Sequence, residues 1–316
     1  TAAAMNFLLE TLMVMVLSVV YWLECLFRCV VPPRRKSVAG QVVLVTGAGS
    51  GLGRLVALSL ARLGATLVIW DVNRAANEET AQLIREEGDG VEGNGRKPSV
   101  HAYSVDCSRR DDVYRVADLV MRDVGDIDIL VNNAGIVTGR KFIDSPDELL
   151  QKTMDVNIMA HFWTYKAFLP AMVANDHGHL VSIASSAGLI GVNGLADYCA
   201  SKFAAVGFAE SVALEMLALG KFGVKTTIVC PYFINTGMFN GCVTKWPRLM
   251  PILDQHYASN KIVDAILREQ VQLVMPRSIY GMMALKNIIP VKLGVLLGNY
   301  FGAFHFMDHF VGRKND

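Results

Sequence analysis

A short apolar run, a glycine turn and the start of a helix follow one another at positions 42–63, and few folds can use that succession. Val42-Val43-Leu44-Val45 has the length and continuous apolar character of a strand covered on both faces. It enters Thr46-Gly47-Ala48-Gly49-Ser50-Gly51-Leu52-Gly53, after which Leu55, Leu58 and Leu60 begin a helix. Glycines in such a turn let the backbone approach a pyrophosphate, whose charge meets the amides at the helix N-terminus. Gly47, Ser50, Gly51, Leu52 and Gly53 are therefore candidate cofactor contacts. A second strand, Thr66–Trp70, ends in Asp71, about 20 residues past the glycines, where a carboxylate accepts from both ribose hydroxyls and repels a 2′-phosphate. The expected cofactor is NAD, with Arg74 leaving NADP as the minority reading.

Strand and helix patterns then alternate. Asn77–Glu87 reads as a charged helix, Gly88–Pro98 as a loop, and Val100–Val105 as a strand ending at Asp106-Cys107, where a carboxylate can meet the adenine amino group. A helix over Asp111–Val124 leads to strand Ile127–Val131 and Asn132-Asn133-Ala134-Gly135. Asn132 is assigned a structural role, and the Asn133, Ala134 and Gly135 backbone cofactor contact. Pro146–Asn175 reads as one helix carrying Asn157. Strand Leu180–Ala184 opens into Ser185-Ser186 at the carboxyl edge of the sheet. Helix Ala196–Leu219, strand Val224–Val229 ending at Cys230-Pro231, helix Lys261–Glu269 and strand Val271–Met275 complete the series. The pattern predicts an α/β fold, a single doubly wound parallel sheet of seven strands, of the Rossmann type.

The chemistry is placed at Tyr198-Cys199-Ala200-Ser201-Lys202. A Tyr and a Lys four residues apart share a helix face. A phenol with a pKa of roughly 10 is a poor base. A nearby ammonium, and a cationic ring bound above it, would stabilise the phenolate, so that the pair can exchange a proton with an alcohol or a carbonyl. Alone, this spacing is weak evidence, since it occurs by chance in many helices. From Tyr232 to Asn260 the alternation lapses, and Met238, Phe239, Trp246 and Leu249 suggest either core packing or, as preferred here, a lid over an apolar substrate.

The two ends are apolar. Phe7–Val31 approaches the roughly 20 residues that span a bilayer core, and Pro32-Pro33 and Arg34-Arg35-Lys36 follow it. Positive charge on that side alone keeps the following domain cytosolic. The expected organisation is an appended remnant at 1–4, an anchor at 5–31, a basic linker at 32–39, a catalytic domain at 40–276 with a substrate lobe at 232–260, and an apolar, membrane-associated extension at 277–316. Composition agrees: 52% of residues are hydrophobic, 19% are charged, and mean hydropathy is +0.34. A net charge of +1 makes nucleic acid an unexpected partner. Six cysteines without a paired framework suggest neither disulfides nor zinc, and His177-Gly178-His179 lacks a nearby acidic partner, so no metal is expected.

Taken together, the turn at Thr46–Gly53, Asn132–Gly135, Ser185 and Tyr198–Lys202 resemble the short-chain dehydrogenase/reductase family over Gly40–Met275. The family commonly has Gly after the proline at 231, where this chain has Tyr232, while Thr236 keeps its place. GAGSGLGRL, NNAGIVTG, FWTYKAFLPAM, NDHGHLVSI, GVNGLADYCASKFAA and KTTIVCP resemble its membrane-bound 16C subgroup, which includes retinol dehydrogenases and lipid-droplet hydroxysteroid dehydrogenases. The resemblance implies that Tyr198 takes the hydroxyl proton while a hydride passes to NAD. Lys202 would hold the nicotinamide ribose, and Ser185, with Ser186 as rival, the substrate oxygen. Asn157 would position a water, and Pro231, Ile234 and Thr236 would close on the nicotinamide. It implies all-trans-retinol as substrate, with a 17β-hydroxysteroid or an inactive membrane-binding role as alternatives. It also implies an endoplasmic-reticulum or lipid-droplet location, and homodimers built from the helices carrying Asn157 and Tyr198.

Overall fold

The computed structural model describes residues 2–89, 99–286 and 288–312. The chain divides into two compact units, Thr1–Lys36 and Ser37–Asp316. The first is built on helix α1 (Ala2–Val30), whose stretch Asn6–Arg28 has a mean hydropathy of 1.8 and is long and apolar enough to cross a membrane. Several of its polar groups are paired within the helix. The Thr11 and Ser18 hydroxyls donate to carbonyls one turn earlier at 2.7 Å, and Arg28 pairs with Glu24. Internal pairing of this kind needs no water.

In the second unit, strands β1 (Val42–Thr46), β2 (Thr66–Asp71), β3 (Val100–Ser104), β4 (Ile129–Asn132), β5 (Gly178–Ile183), β6 (Val224–Pro231) and β7 (Gln272–Met275) form one parallel sheet. Their order is β3-β2-β1-β4-β5-β6-β7. The seven-stranded doubly wound fold expected from the alternation is the fold observed. Because both faces are covered, neighbouring residues of one strand serve opposite cores. Val43, Val45, Leu67 and Ile69 pack in one apolar cluster, while Leu44, Val68 and Trp70 pack in the other. Helices α2 (Gly51–Arg62) and α8 (Gln255–Leu267) supply the first cluster, and α4 (Arg110–Asp123) and α6 (Ala160–Asn175) the second. Helix α3 (Arg74–Asp89) packs on β2 and β3, and α7 (Ala196–Ala218) carries the Tyr–Lys pair.

Two helices differ most from expectation. The helix read over Pro146–Asn175 is divided into α5 (Asp147–Met154), a π-helical turn at Asp155–Met159, and α6; the wide turn carries Asn157, whose side chain is buried. Helix α8 starts at Gln255 rather than Lys261, because the Asp254 carboxylate caps it by accepting the His256 and Tyr257 amides, both at 2.9 Å. Of the loop expected over Gly88–Pro98, residues 90–98 lie outside the described residues.

Past β7, helices α9 (Ser278–Lys286) and α10 (Val291–Phe301) form the apolar tail, and no residue of α10 is buried. The segment after α10 turns back over the lobe. The Val243 amide donates to the Phe306 carbonyl at 3.3 Å, the Val311 amide donates to the Asn240 carbonyl at 2.8 Å, and Asn193 Nδ2 donates to the Phe304 carbonyl at 2.7 Å.

Candidate active site

A cleft of about 1000 Å3 runs along the carboxyl ends of the strands. At its glycine end it is lined by Gly47, Ser50, Gly51, Leu52 and Gly53, the positions singled out in the turn. Gly47 has a φ of +65°, and a Cβ on Gly53 would lie 2.2 Å from the Gly47 carbonyl oxygen, so this close turn requires glycine at both places. The turn is fastened to the end of β4: Asn133 Nδ2 donates to the Thr46 and Gly47 carbonyls at 3.0 and 3.2 Å, and Thr46 Oγ1 accepts the Asn133 and Ala134 amides, both at 3.0 Å. Asn132 instead exchanges hydrogen bonds with buried Thr164. Its role is structural, as its sequence context suggests.

Asp71 lies at the cleft edge, where Oδ2 accepts the Gly49 amide at 2.8 Å and Oδ1 the Asn73 amide at 2.9 Å. Each oxygen keeps a lone pair for a ribose hydroxyl. Arg74, the candidate partner for a 2′-phosphate, is not among the lining residues. Asp106 and Cys107 line the same end. Asp106 Oδ1 accepts the Ser108 hydroxyl at 2.6 Å, and burial pushes the Cys107 thiol up to about 12, leaving it an uncharged wall. A glycine cradle at a helix N-terminus, with a carboxylate at the ribose position, fits a dinucleotide without a 2′-phosphate.

At the chemical end, β5 delivers Ser185, and α7 delivers Tyr198 and Lys202; all three are buried and line the cleft. Lys202 Nζ donates to the Ile183 carbonyl at 2.9 Å and sits 5.6 Å from the centre of the Tyr198 ring. Burial lowers Lys202 to about 8, with Cys230 opposing. Burial raises the Tyr198 phenol, and a hydrogen bond with the Ser185 side chain opposes this only in part. Tyr198 is thus protonated in the protein by itself, and the expected phenolate requires additional positive charge beside it. Ser185 Oγ accepts the Ala187 amide at 3.1 Å and donates to the Pro231 carbonyl at 3.4 Å. Ser186 lines the cleft as well, but the serine joined to Tyr198 is Ser185.

Ala134, Gly135, Ile234, Thr236, Met238 and Phe239 all line the cleft. Phe239 meets Tyr198 edge-on, with ring centres 5.7 Å apart. Asn157 and Pro231 stand behind the wall. The Asn157 side chain accepts the Ile136 amide at 2.8 Å, donates to the Ile136 carbonyl at 2.9 Å, and donates to Ser201 Oγ at 3.0 Å. It braces the loop after β4 against α7. Trp246 is not among the lining residues; its indole packs on Tyr300 of α10 and donates to the Tyr300 carbonyl at 3.0 Å. Tyr232 and Phe233, not singled out as contacts from sequence, line the cleft and pack on Phe306 of the returning tail. The Tyr-for-Gly departure was their one local signal. Among the described residues no three His, Cys, Asp or Glu side chains converge as metal ligands; His177 meets Asp128, and His179 meets Thr227.

Fold and site together define a dinucleotide-dependent oxidoreductase, and the chain belongs to the short chain dehydrogenase family, whose sequence pattern matches residues 41–245. It is 62% identical over 292 residues to epidermal retinol dehydrogenase 2 of Mus musculus, covering 92% of each chain. It is 51% identical over 310 residues to short-chain dehydrogenase/reductase family 16C member 6 of Bos taurus, covering 98% of this chain and 96% of that one. Among solved structures, a short chain dehydrogenase/reductase from Burkholderia phymatum in complex with NAD superposes with a TM-score of 0.70 at 26% identity, covering 79% of this chain and 94% of that one.

Proposed function

We propose that this protein is a membrane-bound, NAD-dependent dehydrogenase that oxidises all-trans-retinol to all-trans-retinal, upstream of retinoic acid. The observation that carries the reading is the single cleft that joins a glycine cradle and Asp71 at one end to Ser185, Tyr198 and Lys202 at the other. Its wall beyond Tyr198 is formed by Phe233, Met238 and Phe239, which suits a long apolar alcohol. The relative at 62% identity is named for retinol oxidation, and the superposed structure holds NAD, which support the substrate and the cofactor.

In this reading, NAD would supply the hydride acceptor when bound and, in its oxidised form, a positive charge in the cleft that Tyr198 lines. Ser185 holds the substrate oxygen, and Tyr198 takes the hydroxyl proton as the carbon-bound hydride leaves. Lys202, on the same helix face, would hold the nicotinamide ribose and stabilise the phenolate. Asn157 acts as a brace for this end of the cleft. The helix Asn6–Arg28, followed by Arg34-Arg35-Lys36, supports anchoring in the endoplasmic reticulum or lipid-droplet membrane with the catalytic unit facing the cytosol. Ile288, Val291 and Leu296 are strongly exposed, which supports contact between the tail and lipid as well. The helices carrying Asn157 and Tyr198 supply the surface for a homodimer.

The test is retinaldehyde formation by membranes containing the protein, given all-trans-retinol with NAD or NADP, alongside Tyr198→Phe. Product with NAD that is lost in the variant is the expected result. Faster turnover of estradiol than of retinol would replace the substrate by a 17β-hydroxysteroid. No turnover of either would leave a membrane-binding role.

A further inference from the structure

Asp71, the carboxylate at the ribose end of the cleft, is the first member of a bonded chain that continues beneath the glycine turn. Gly49 gives its amide to Asp71 Oδ2 at 2.8 Å, and the carbonyl of that same residue accepts from Arg54 Nε at 3.1 Å. Arg54 Nε also donates to Thr80 Oγ1 at 3.0 Å, and Nη2 donates to the Ala76 carbonyl at 3.4 Å. Thr80 is fully buried and donates to the Ala48 carbonyl at 3.0 Å, so the guanidinium is held between the turn and the first part of α3. Gly49, which accepts from Arg54, is packed closely between Asp71 and Ala76. A Cβ on Gly49 would lie 2.8 Å from Asp71 Oδ2 and 3.2 Å from Ala76 Cβ, and Ala76 itself lines the cleft. One residue therefore separates a positive charge from the carboxylate that selects the ribose.

That charge is answered from outside. Arg54 Nη2 meets Glu79 Oε2 at 2.7 Å, and the Arg54 side chain is 22% exposed while that of Glu79 is 61% exposed. A pair so open to water adds little to fold stability. Its field is another matter, because charges within about a Debye length of one another still interact across the surface. An uncompensated guanidinium behind Gly49 would attract the dianion of a 2′-phosphorylated cofactor and offset the repulsion from Asp71.

Resting on the NAD reading above, we propose that Glu79 is a second specificity determinant. By pairing with Arg54 it withholds from NADP a cation bonded to the turn, while Asp71 repels the 2′-phosphate directly. Both groups act on the same phosphate, one by repulsion and one by neutralising an attraction. Glu79 works through Arg54 and is a positioning residue rather than a catalytic one.

The experiment measures NAD and NADP affinities by calorimetry on the full chain in detergent micelles at low salt, for wild type, Glu79→Gln, and Glu79→Gln combined with Arg54→Gln. The expected result is that Glu79→Gln moves the NADP-to-NAD affinity ratio toward NADP by about threefold to tenfold, shrinking at high salt. The shift should vanish in the double variant, which lacks the cation. A purely structural pair would weaken both cofactors alike and leave the ratio unchanged; that result overturns the role given to Glu79 while the NAD preference of the wild type stands. A wild type that binds NADP more tightly than NAD would overturn the NAD reading and this proposal with it.

Discussion

Gly53→Ala tests the cradle where its geometry is tightest. The added Cβ would lie 2.2 Å from the Gly47 carbonyl oxygen and 2.5 Å from Asn133 Nδ2. Real Cβ contacts do not fall below 3.0 Å, so the start of α2 and the turn must part by about 0.8 Å. Overpacking of that kind costs about 1–3 kcal/mol. The displaced neighbour is also the donor that ties the turn to β4, and each of its two bonds contributes about 1 kcal/mol. Relief can come by moving α2 or by releasing Asn133, and either spoils the arrangement of amides that would meet the pyrophosphate. A loss of about 2.7 kcal/mol from cofactor binding is expected, roughly a hundredfold in Kd. Calorimetric titration with NAD reads this directly, and a thermal melt separates lost affinity from lost folding. Gly191→Ala serves as comparison, since a Cβ there meets nothing within 4 Å, and NAD affinity should be unchanged. Affinity within threefold of wild type for Gly53→Ala would refute the steric reasoning.

Three further outcomes are expected. Burial, and secondarily the charge of Lys202, lowers His161 to about 3 from 6.5. A folded pKa below the unfolded one contributes stability that is present above pH 6.5 and lost as pH falls toward 3, by about 1.4 kcal/mol per unit across that window. Unfolding free energies between pH 4 and pH 7 should therefore slope less in His161→Phe than in wild type; parallel curves would rule this out. Phe239→Ala removes a ring that meets both Tyr198 and Phe233, and the lost apolar contact of about 2 kcal/mol should raise KM for retinol about 30-fold. A short water-soluble alcohol should be little affected. Trp246→Ala, on the outer face, should change neither constant by more than about twofold, and an equal effect from both variants would contradict the placement of Trp246.

Much of this protein was legible along the chain because it depends on neighbours in sequence. Strand, glycine turn and helix are consecutive, Asp71 ends the next strand, and Tyr198 and Lys202 share a face because a helix repeats every 3.6 residues. Even the structural role of Asn132 and the departure at Tyr232 were visible locally. Distant partners were not. Nothing near Asn133 says that its amide grips Thr46 and Gly47, 87 and 86 positions away. Nor does the apolar character of Trp246 say which way it faces; it packs on Tyr300 because α10 lies beside the lobe. The π-helical turn that carries Asn157 and the return of Phe306 over Tyr232 and Phe233 are of the same kind. The sequence by itself determined the class of fold, the glycine turn after the first strand and the Tyr–Lys pair on one helix face, since periodicity and turn chemistry act over a few residues. Only the tertiary structure decided which aromatic rings wall the cleft, which tail segment covers the lobe and how Tyr198 is charged, because burial and contact depend on what the folded chain brings alongside.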